Sequence, residues 1–235
     1  MSADDPLKRL ALVGYGRMGR LVERLAPDYG FTVALRLAGR DAGGPLDSAS
    51  FSGIDVAVDF SVPAAVARNV ERIAALGVPM VVGTTGWGEE LPRVRAAVER
   101  SRVGLVHGAN FSVGVQVFYR LAAEAARLLA HDADYDAWAY EIHHRKKRDA
   151  PSGTLLHLKR AMEEAGFDRA IDVASNRAGA VPGTHVVGFD SEADTITLEH
   201  RARSRDGFAR GALRAARWVL GRTGLYEFSD IWSEI

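Results

Sequence analysis

The chain has 235 residues, of which 47% are apolar, so it is long enough to bury one large core or two modest ones. Thirty basic residues balance thirty acidic residues, which leaves no overall basic field of the kind that attracts nucleic acid or an anionic membrane. The sequence contains no cysteine, which excludes disulfides, thiolate-bound zinc, iron–sulfur clusters and cysteine nucleophiles.

The first ten residues, MSADDPLKRL, carry acids where a signal peptide would be basic and then apolar. The apolar stretches further along are interrupted by Gly and Pro, so none is a candidate membrane span. We therefore expect a soluble, cytoplasmic protein that binds neither nucleic acid nor membrane.

A glycine-rich turn follows the first predicted strand, LALV at residues 10–13, and leads into a predicted helix. The turn reads Gly14-Tyr15-Gly16-Arg17-Met18-Gly19. Glycines in this setting allow a tight turn and let the backbone approach a pyrophosphate at the helix N-terminus. The alternative is a packing turn, because glycine is also used wherever φ must be positive. The strand–turn–helix context favours a dinucleotide site.

The end of the second predicted strand, 31–35, bears on the choice of dinucleotide. A site selective for NAD usually places Asp or Glu about 20 residues after the glycine turn. Here the chain reads Arg36-Leu37-Ala38-Gly39-Arg40-Asp41, with arginines before the acid. Since a guanidinium suits a 2′-phosphate, the sequence favours NADPH and leaves NADH open, with a solvated Arg36 as the alternative.

Three more short β-branched runs, 54–60, 80–82 and 103–107, alternate with turns and helix-period segments, which is typical of βαβ units around a parallel sheet. Segment 41–53 is predicted to be a loop. Ligands bind at the carboxyl ends of such strands. Two turns are placed there, Gly83-Thr84-Thr85-Gly86 and Gly108-Ala109-Asn110-Phe111. Their small residues would leave room for ribose and nicotinamide, although each alone resembles an ordinary tight turn.

After Asn110 the pattern changes from alternating strands and helices to grouped elements. Apolar residues at helical spacing predict a long helix over 115–129. Alternation predicts a strand over 138–142, and further segments predict a helix from about Gly153, strands at 185–189 and 195–200, and a last helix over 209–220. The grouping predicts an α+β domain inserted after the parallel one, with the last helix returning to the first domain.

Residues 140–156, YEIHHRKKRDAPSGTLL, gather His143, His144 and Lys147 just before a predicted helix start. The small residues Ser152 and Gly153 would leave the first-turn amides open to a carboxylate or phosphate. A histidine beside lysine also suits general acid chemistry, since imidazole titrates near neutrality and a neighbouring cation lowers its pKa. A solvated charge run is the alternative. Metal binding is the weakest interpretation, because adjacent histidines on a strand point to opposite faces.

With GTTGW, GANFSVGV and EIHHRKKRDAPSGT in order along one chain, the sequence resembles the 4-hydroxy-tetrahydrodipicolinate reductase (dihydrodipicolinate reductase) family of bacterial lysine biosynthesis. The HHxxKxDxPSGT segment is the most specific part of the resemblance. The resemblance implies a Rossmann-like α/β nucleotide-binding domain, residues 1–110 plus 209–235, with an inserted α+β domain, residues 111–208, for substrate binding and homotetramer formation. It implies hydride transfer from NAD(P)H to a cyclic imine with two carboxylates.

The resemblance also assigns roles to individual residues. His143 matches the proton donor or acceptor of the family, and Lys147 matches its second proton donor. Three positions match residues that hold the substrate: His144, Gly153 and Thr154. The cofactor contacts match Gly14, Tyr15, Gly16, Arg17, Met18, Gly83, Thr84, Thr85, Gly108, Ala109, Asn110 and Phe111.

Two departures from the family pattern concern the cofactor. The glycine turn is one residue shorter than the GxxGRMG common in the family, and Ala38-Gly39-Arg40 replaces a strand-end acid. Arg40 is therefore our candidate for the 2′-phosphate. Two other hypotheses are kept: an oxidoreductase of the aspartate or homoserine dehydrogenase kind, and a dinucleotide-sensing subunit without turnover.

Overall fold

The computed structural model describes residues 6–38 and 46–235. The chain divides into two compact units, Met1–Ser112 with Phe208–Ile235, and Val113–Gly207. The first unit contains β1 (Lys8–Val13), α1 (Arg17–Leu25), β2 (Phe31–Leu37), β3 (Val56–Asp59), α2 (Pro63–Ala75), β4 (Met80–Val82), α3 (Leu91–Ser101), β5 (Gly104–His107), α6 (Asp206–Trp218), β10 (Gly224–Glu227) and α7 (Phe228–Ile231).

The strands of the first unit form a six-stranded sheet in the order β10-β5-β4-β3-β1-β2, and every pair is parallel. β3 and β4 are buried along their whole length, as expected for strands covered on both faces by helices. The order reverses between β1 and β3, so the turns after these two strands flank the position where open parallel sheets bind ligands. The predicted Rossmann-like architecture is confirmed.

The second unit contains α4 (Val113–Leu129), β6 (Asp136–His143), α5 (Gly153–Glu164), β7 (Ile171–Arg177), β8 (Thr184–Asp190) and β9 (Thr195–Arg201). Its sheet has the order β7-β6-β8-β9, with β6 and β7 parallel and the other pairs antiparallel. Alternate residues of β6 point inward, and these are Ala137, Ala139, Glu141 and His143. This inner face packs with apolar residues of α4 and α5 in one core.

Sequence patterns did not predict β7 or β10. β7, IDVASNR, is exposed over most of its length and lacks a clear apolar alternation. β10, GLYE, is only four residues long and half-buried. In the part of the chain that the structure describes, no helix has the length and apolar character that crossing a membrane requires.

Candidate active site

The glycine turn between β1 and α1 is closely packed on one side and open on the other. Gly14 has a φ of +88°, and a Cβ there would lie 2.4 Å from the carbonyl oxygen of Phe60. A Cβ on Gly19 would lie 2.6 Å from the Gly14 carbonyl oxygen. Around Gly16, in contrast, the described residues leave a Cβ open space, and no described side chain caps the α1 N-terminus there. The turn therefore presents exposed backbone and fits a pyrophosphate.

A buried aspartate connects the turns that follow β3 and β4. Asp59 Oδ1 accepts hydrogen bonds from the Ser61 amide at 2.8 Å and from the Thr84 hydroxyl at 2.9 Å. Its Oδ2 accepts one from the Asn69 side chain at 2.9 Å. Thr84 is buried and uses its hydroxyl here, whereas Thr85 is exposed. Asp59 thus fixes the turn whose backbone was expected to contact the cofactor.

The GANF turn after β5 is held against α6 and α7. A Cβ on Gly211 of α6 would lie 1.7 Å from the carbonyl oxygen of Phe111, so the helix and the turn are in close backbone contact. The rings of Phe111 and Phe228 lie 4.6 Å apart, centroid to centroid. The Asn110 side chain accepts a hydrogen bond from the Ser112 amide at 2.9 Å. Ala109, which precedes Asn110, is exposed.

An acidic side chain, of the kind that NAD-selective sites place at the end of the second strand, lies beside the end of β2. It belongs to α1 and not to the strand. Glu23 Oε1 accepts a hydrogen bond from Arg36 Nε at 2.7 Å, and Glu23 Oε2 accepts one from the Tyr15 hydroxyl. The Arg36 guanidinium holds the pKa of the Glu23 carboxyl below its usual range. Arg36 is therefore paired rather than simply solvated. Arg40, our candidate for the 2′-phosphate, lies outside the described residues.

The end of β6 in the second unit brings His143 next to a buried carboxylate. Glu141 and His143 are two residues apart on one strand, so their side chains share the inner face. His143 Nδ1 lies 3.3 Å from Glu141 Oε2. His185 on β8 adds a second imidazole, with Nε2 also 3.3 Å from Glu141 Oε2 and the two rings edge to face at 5.0 Å.

Glu141 has no exposed surface and is held by several donors. Its Oε1 accepts hydrogen bonds from the Ser152 amide at 2.8 Å, the Ser175 hydroxyl at 3.0 Å and the Arg177 guanidinium at 2.8 Å. Its Oε2 accepts one from the Ser152 hydroxyl. Burial raises the pKa of Glu141, but the hydrogen bonds from Ser152 and Arg177 outweigh burial and lower this pKa to about 2. Glu141 is thus a carboxylate at neutral pH.

The N-terminus of α5 is less open than the sequence predicted. Instead of being free, the Ser152 amide donates to Glu141, and the Leu155 amide is capped by the Ser152 hydroxyl at 3.2 Å. The Gly153 amide hydrogen bonds with Asp149. The expectation of open amides at Ser152 and Gly153 is therefore wrong, because the chain supplies its own carboxylates to this helix end.

Lys147 lies half-buried in the turn between β6 and α5 and donates to both Asp149 oxygens, at 2.8 and 2.9 Å. Burial raises the pKa of Asp149, but the Lys147 ammonium and backbone hydrogen bonds together hold this pKa below its usual range. His144 is partly exposed, and Gly153 is exposed. Thr154 hydrogen bonds with Tyr119, whose burial raises its pKa to about 12. Arg145, Lys146 and Arg148 are exposed, as a solvated charge run would be.

Glu141, His143 and His185 each place a ligand-type atom within 4.8 Å of the others. A carboxylate therefore does accompany His143, since Glu141 shares a face of β6 with it. A bound cation is nevertheless disfavoured, because Glu141 already accepts hydrogen bonds from Ser152, Ser175 and the positively charged Arg177. The arrangement fits proton transfer better than metal binding.

Four polar residues of these sites were missed by sequence reasoning: Asp59, Glu141, Arg177 and His185. Glu141 could have been found, since a residue two positions before His143 on a strand shares its face. Arg177 and His185 come from β7 and β8, and only the sheet pairing brings them to β6. Asp59 ends a fully buried strand, which was a weak signal for a network at the strand end.

Comparison with known proteins gives a family for the whole chain. The model described as "Dihydrodipicolinate reductase, N-terminus" matches residues 8–111, and "Dihydrodipicolinate reductase, C-terminus" matches residues 114–232. The chain belongs to the dihydrodipicolinate reductase family. The match favours a dihydrodipicolinate reductase over an oxidoreductase of the aspartate or homoserine dehydrogenase kind.

Members of the dihydrodipicolinate reductase family match over nearly their full length. The 4-hydroxy-tetrahydrodipicolinate reductase of Christiangramia forsetii is 34% identical over 238 residues, covering 96% of this chain and 98% of that one. The enzyme of the same name from Thiobacillus denitrificans is 38% identical over 263 residues, covering 95% and 97%. The solved structure of a dipicolinate-bound dihydrodipicolinate reductase from Paenisporosarcina sp. TG-14 is 22% identical, with a TM-score of 0.80 over 96% of this chain and 99% of that one, and it shows the shared fold.

In this family member, the buried His185 makes stability depend on pH. Burial lowers the pKa of His185 from 6.5 to about 4, so the unfolded chain takes up this proton at a higher pH than the folded chain. The free energy of unfolding should therefore fall as pH drops through that window, by at most about 1.4 kcal/mol per pH unit for one group. His185→Gln should show a shallower dependence in urea unfolding, because the titrating group is gone.

The matched control is His131→Gln, which changes an exposed histidine of the same unit and should keep the wild-type slope. The histidines His143 and His200 also have lowered pKa values caused first by burial, so part of the slope remains in His185→Gln. Superimposable pH profiles for wild type and His185→Gln would contradict the assignment.

Proposed function

We propose that the protein catalyses the NAD(P)H-dependent reduction of 4-hydroxy-tetrahydrodipicolinate to tetrahydrodipicolinate in the diaminopimelate route to lysine. The observation that carries this proposal is the match of both halves of the chain, residues 8–111 and 114–232, to the two family models. Curated relatives that bear this activity's name cover almost the whole chain. The buried proton-transfer cluster at His143 gives the proposal a chemical basis.

A nicotinamide dinucleotide would be held by the turns at the carboxyl edge of the parallel sheet. The exposed backbone at Gly16 and the open α1 N-terminus support a pyrophosphate site there. The expected contacts are Gly14, Tyr15, Gly16, Arg17, Met18, Gly83, Thr84, Thr85, Gly108, Ala109, Asn110 and Phe111. When bound, the cofactor supplies the hydride. The protein must then stabilise and quench the negative charge that hydride addition leaves on the substrate.

His143 and Lys147 are the groups we assign to proton delivery. His143 Nδ1 faces the Glu141 carboxylate, so Nε2 is the nitrogen left to exchange a proton. Lys147 provides an ammonium that Asp149 keeps near the strand end. A cationic acid near the reacting carbon both attracts the dicarboxylate and protonates the reduced product.

The two carboxylates of the substrate need fixed hydrogen-bond donors. We assign this role to His144 and to the first turn of α5 at Gly153 and Thr154. A side chain on Gly153 would meet open space among the described residues, so its backbone is accessible. Asp149, which now hydrogen bonds with the Gly153 amide and Lys147, would have to share or yield these donors to a substrate carboxylate.

A coupled assay tests the proposed reaction directly. The unstable substrate is generated from pyruvate and aspartate semialdehyde by its synthase, and consumption of NADPH and of NADH is followed separately. Cofactor oxidation that depends on the synthase supports the proposal. Turnover only with an amino acid or hydroxy acid would replace it with a dehydrogenase of the aspartate or homoserine kind. Cofactor affinity without any turnover would indicate a dinucleotide-sensing subunit.

Homotetramer formation through the second sheet is part of the proposal. The outer face of β6 and β8 carries the half-buried apolar side chains of Tyr140, Ile142 and Val186, which line a groove. Apolar residues on one face of a sheet favour burial against another copy. Light scattering should give four times the 25.4 kDa chain mass, and a monomer mass would contradict this assembly.

For cofactor choice, we propose a preference for NADPH that depends on Arg40. Arg40→Ala should weaken NADPH binding by roughly tenfold or more and leave NADH binding nearly unchanged, because only NADPH carries the 2′-phosphate that a guanidinium binds. Isothermal titration of the two cofactors measures this without turnover.

A substitution in the Glu23–Arg36 pair gives a second test of the preference for NADPH over NADH. Glu23→Gln removes the charge that neutralises Arg36, so it should strengthen NADPH binding relative to NADH. Arg148→Ala, which changes an exposed arginine of the other unit, is the control and should alter neither affinity. Equal losses of NADPH and NADH affinity in Arg40→Ala would refute its 2′-phosphate role.

A further inference from the structure

Glu141 lies where one carboxylate can act on both parts of the proposed substrate site. It is completely buried, it is two residues from His143 on β6, and it accepts the Ser152 amide and hydroxyl at the start of α5. The strand that carries the proposed proton donor and the helix that carries Gly153 and Thr154 are therefore joined through a single charged group.

The contacts of His143 leave one arrangement for its protons. Nδ1 is buried and forms no hydrogen bond with the described residues, and the carboxylate oxygen Glu141 Oε2 lies 3.3 Å from it. This distance is long for a hydrogen bond, as is common for catalytic pairs without substrate. A carboxylate only accepts hydrogen bonds, so a neutral imidazole must carry its proton on Nδ1. Nε2 lies next to Gly183, where a Cβ would approach to 2.9 Å.

We propose that Glu141 is a positioning residue that holds His143 in the Nδ1–H tautomer, with Nε2 directed to the substrate, while it anchors the α5 N-terminus through Ser152. This inference rests on the proposed function, because it assigns a role within the same site. Gly183 contributes by leaving space beside Nε2 that any side chain would fill.

The charges around His143 come from four elements. Glu141 on β6 and Asp149 in the following turn raise its pKa, whereas burial, the largest effect, and the cations Lys147 and Arg177 lower it. His185 on β8 has a pKa lowered to about 4 by burial, so it stays neutral near pH 7. Removing the Glu141 charge should therefore lower the pKa of His143 further, which makes it a poorer proton donor at neutral pH.

The substitution Glu141→Gln tests this role sharply because neighbouring hydrogen-bond donors fix the orientation of the glutamine side-chain amide. The Ser152 amide and Arg177 both donate to Oε1, so the amide oxygen of glutamine must occupy that place, whereas the Ser152 hydroxyl at Oε2 can rotate to accept instead of donate. The amide nitrogen then takes the Oε2 place and donates to Nδ1 of His143. The imidazole should switch to the Nε2–H tautomer, and its protonation should shift to lower pH.

Nitrogen-15 NMR of the histidine rings and kinetics provide two separate measurements. The wild type, without substrate, should show the Nδ1–H tautomer for His143, and Glu141→Gln should show the Nε2–H tautomer. In kinetics, kcat should fall on the order of 10²-fold with a smaller change in KM, as for a misplaced acid-base tautomer. The limb of the kcat/KM profile on which a protonated group is required should move to lower pH. Glu163→Gln, an exposed carboxylate on α5, is the control and should behave as wild type.

Two further results keep the inference falsifiable. If Glu141→Gln does not fold, the wild-type tautomer alone decides, and an Nε2–H tautomer for His143 would overturn the proposal. Ser175→Ala removes one donor to Glu141 Oε1 and should leave the His143 tautomer unchanged. Because the NMR measurement uses no substrate, an Nδ1–H tautomer in an enzyme that fails the coupled assay would refute the reaction and not the positioning.

Discussion

His143→Gln should lower kcat by about 10²- to 10⁴-fold, the contribution usual for a positioned acid or base. Glutamine keeps a polar group beside Glu141 but carries no exchangeable proton of suitable pKa, so the loss falls on proton delivery. NADPH binding should be nearly intact, because the proposed cofactor contacts lie at the carboxyl edge of the other unit's sheet. Steady-state kinetics in the coupled assay and a cofactor titration measure the two effects.

Lys147→Ala should act in the same direction through loss of the second proposed proton donor. Two exposed residues serve as controls: Lys146→Ala removes a lysine one residue from Lys147, and His131→Gln removes a histidine of the same unit. Both control variants should turn over like wild type. Wild-type kcat in both His143→Gln and Lys147→Ala would show that this segment does not carry the chemistry.

Gly211→Ala should destabilise the protein by about 3 kcal/mol, in the upper range for overpacked interiors. The added Cβ would lie 1.7 Å from the carbonyl oxygen of Phe111, and backbone atoms cannot rotate away as a side chain could. Either α6 or the GANF turn must move. Urea unfolding measures the change, and NADPH affinity should weaken with it if the GANF turn contacts the cofactor.

Gly88→Ala is the matched control for this overpacking. A Cβ on Gly88 meets open space within the described residues, and Gly88 does not have a positive φ. Its free energy of unfolding should therefore stay close to that of wild type. An unchanged stability of Gly211→Ala would mean that α6 is not packed on the GANF turn as closely as the structure shows.

The local patterns of the sequence were sufficient for much of the fold. β1 to β5 are short β-branched runs between turns, and α4 has a long apolar stripe, so local preference and tertiary position agree. β7 and β10 were missed because pairing with β6 and β5, rather than their own composition, makes them strands. The same dependence on partners explains why β7's Arg177 was not expected near Glu141.

The candidate site likewise contains residues that the sequence brought together and contacts that it did not predict. The HHxxKxDxPSGT segment placed His143, Lys147, Gly153 and Thr154 close together, because a strand end, a turn and a helix start are adjacent along the chain. The open helix N-terminus was wrongly expected, since the acceptors that occupy it, Glu141 and Asp149, depend on side-chain directions that spacing alone does not give.

By itself, the sequence determined the chemical groups of this protein and their order: a glycine turn after a strand, two later turns, and a histidine–lysine segment before a helix. Only the tertiary structure decided which of them are charged, paired or buried. Burial and hydrogen bonding act through space, and the partners of Glu141 come from three strands and a helix cap. Proton transfer at His143 therefore depends on contacts that no local pattern encodes.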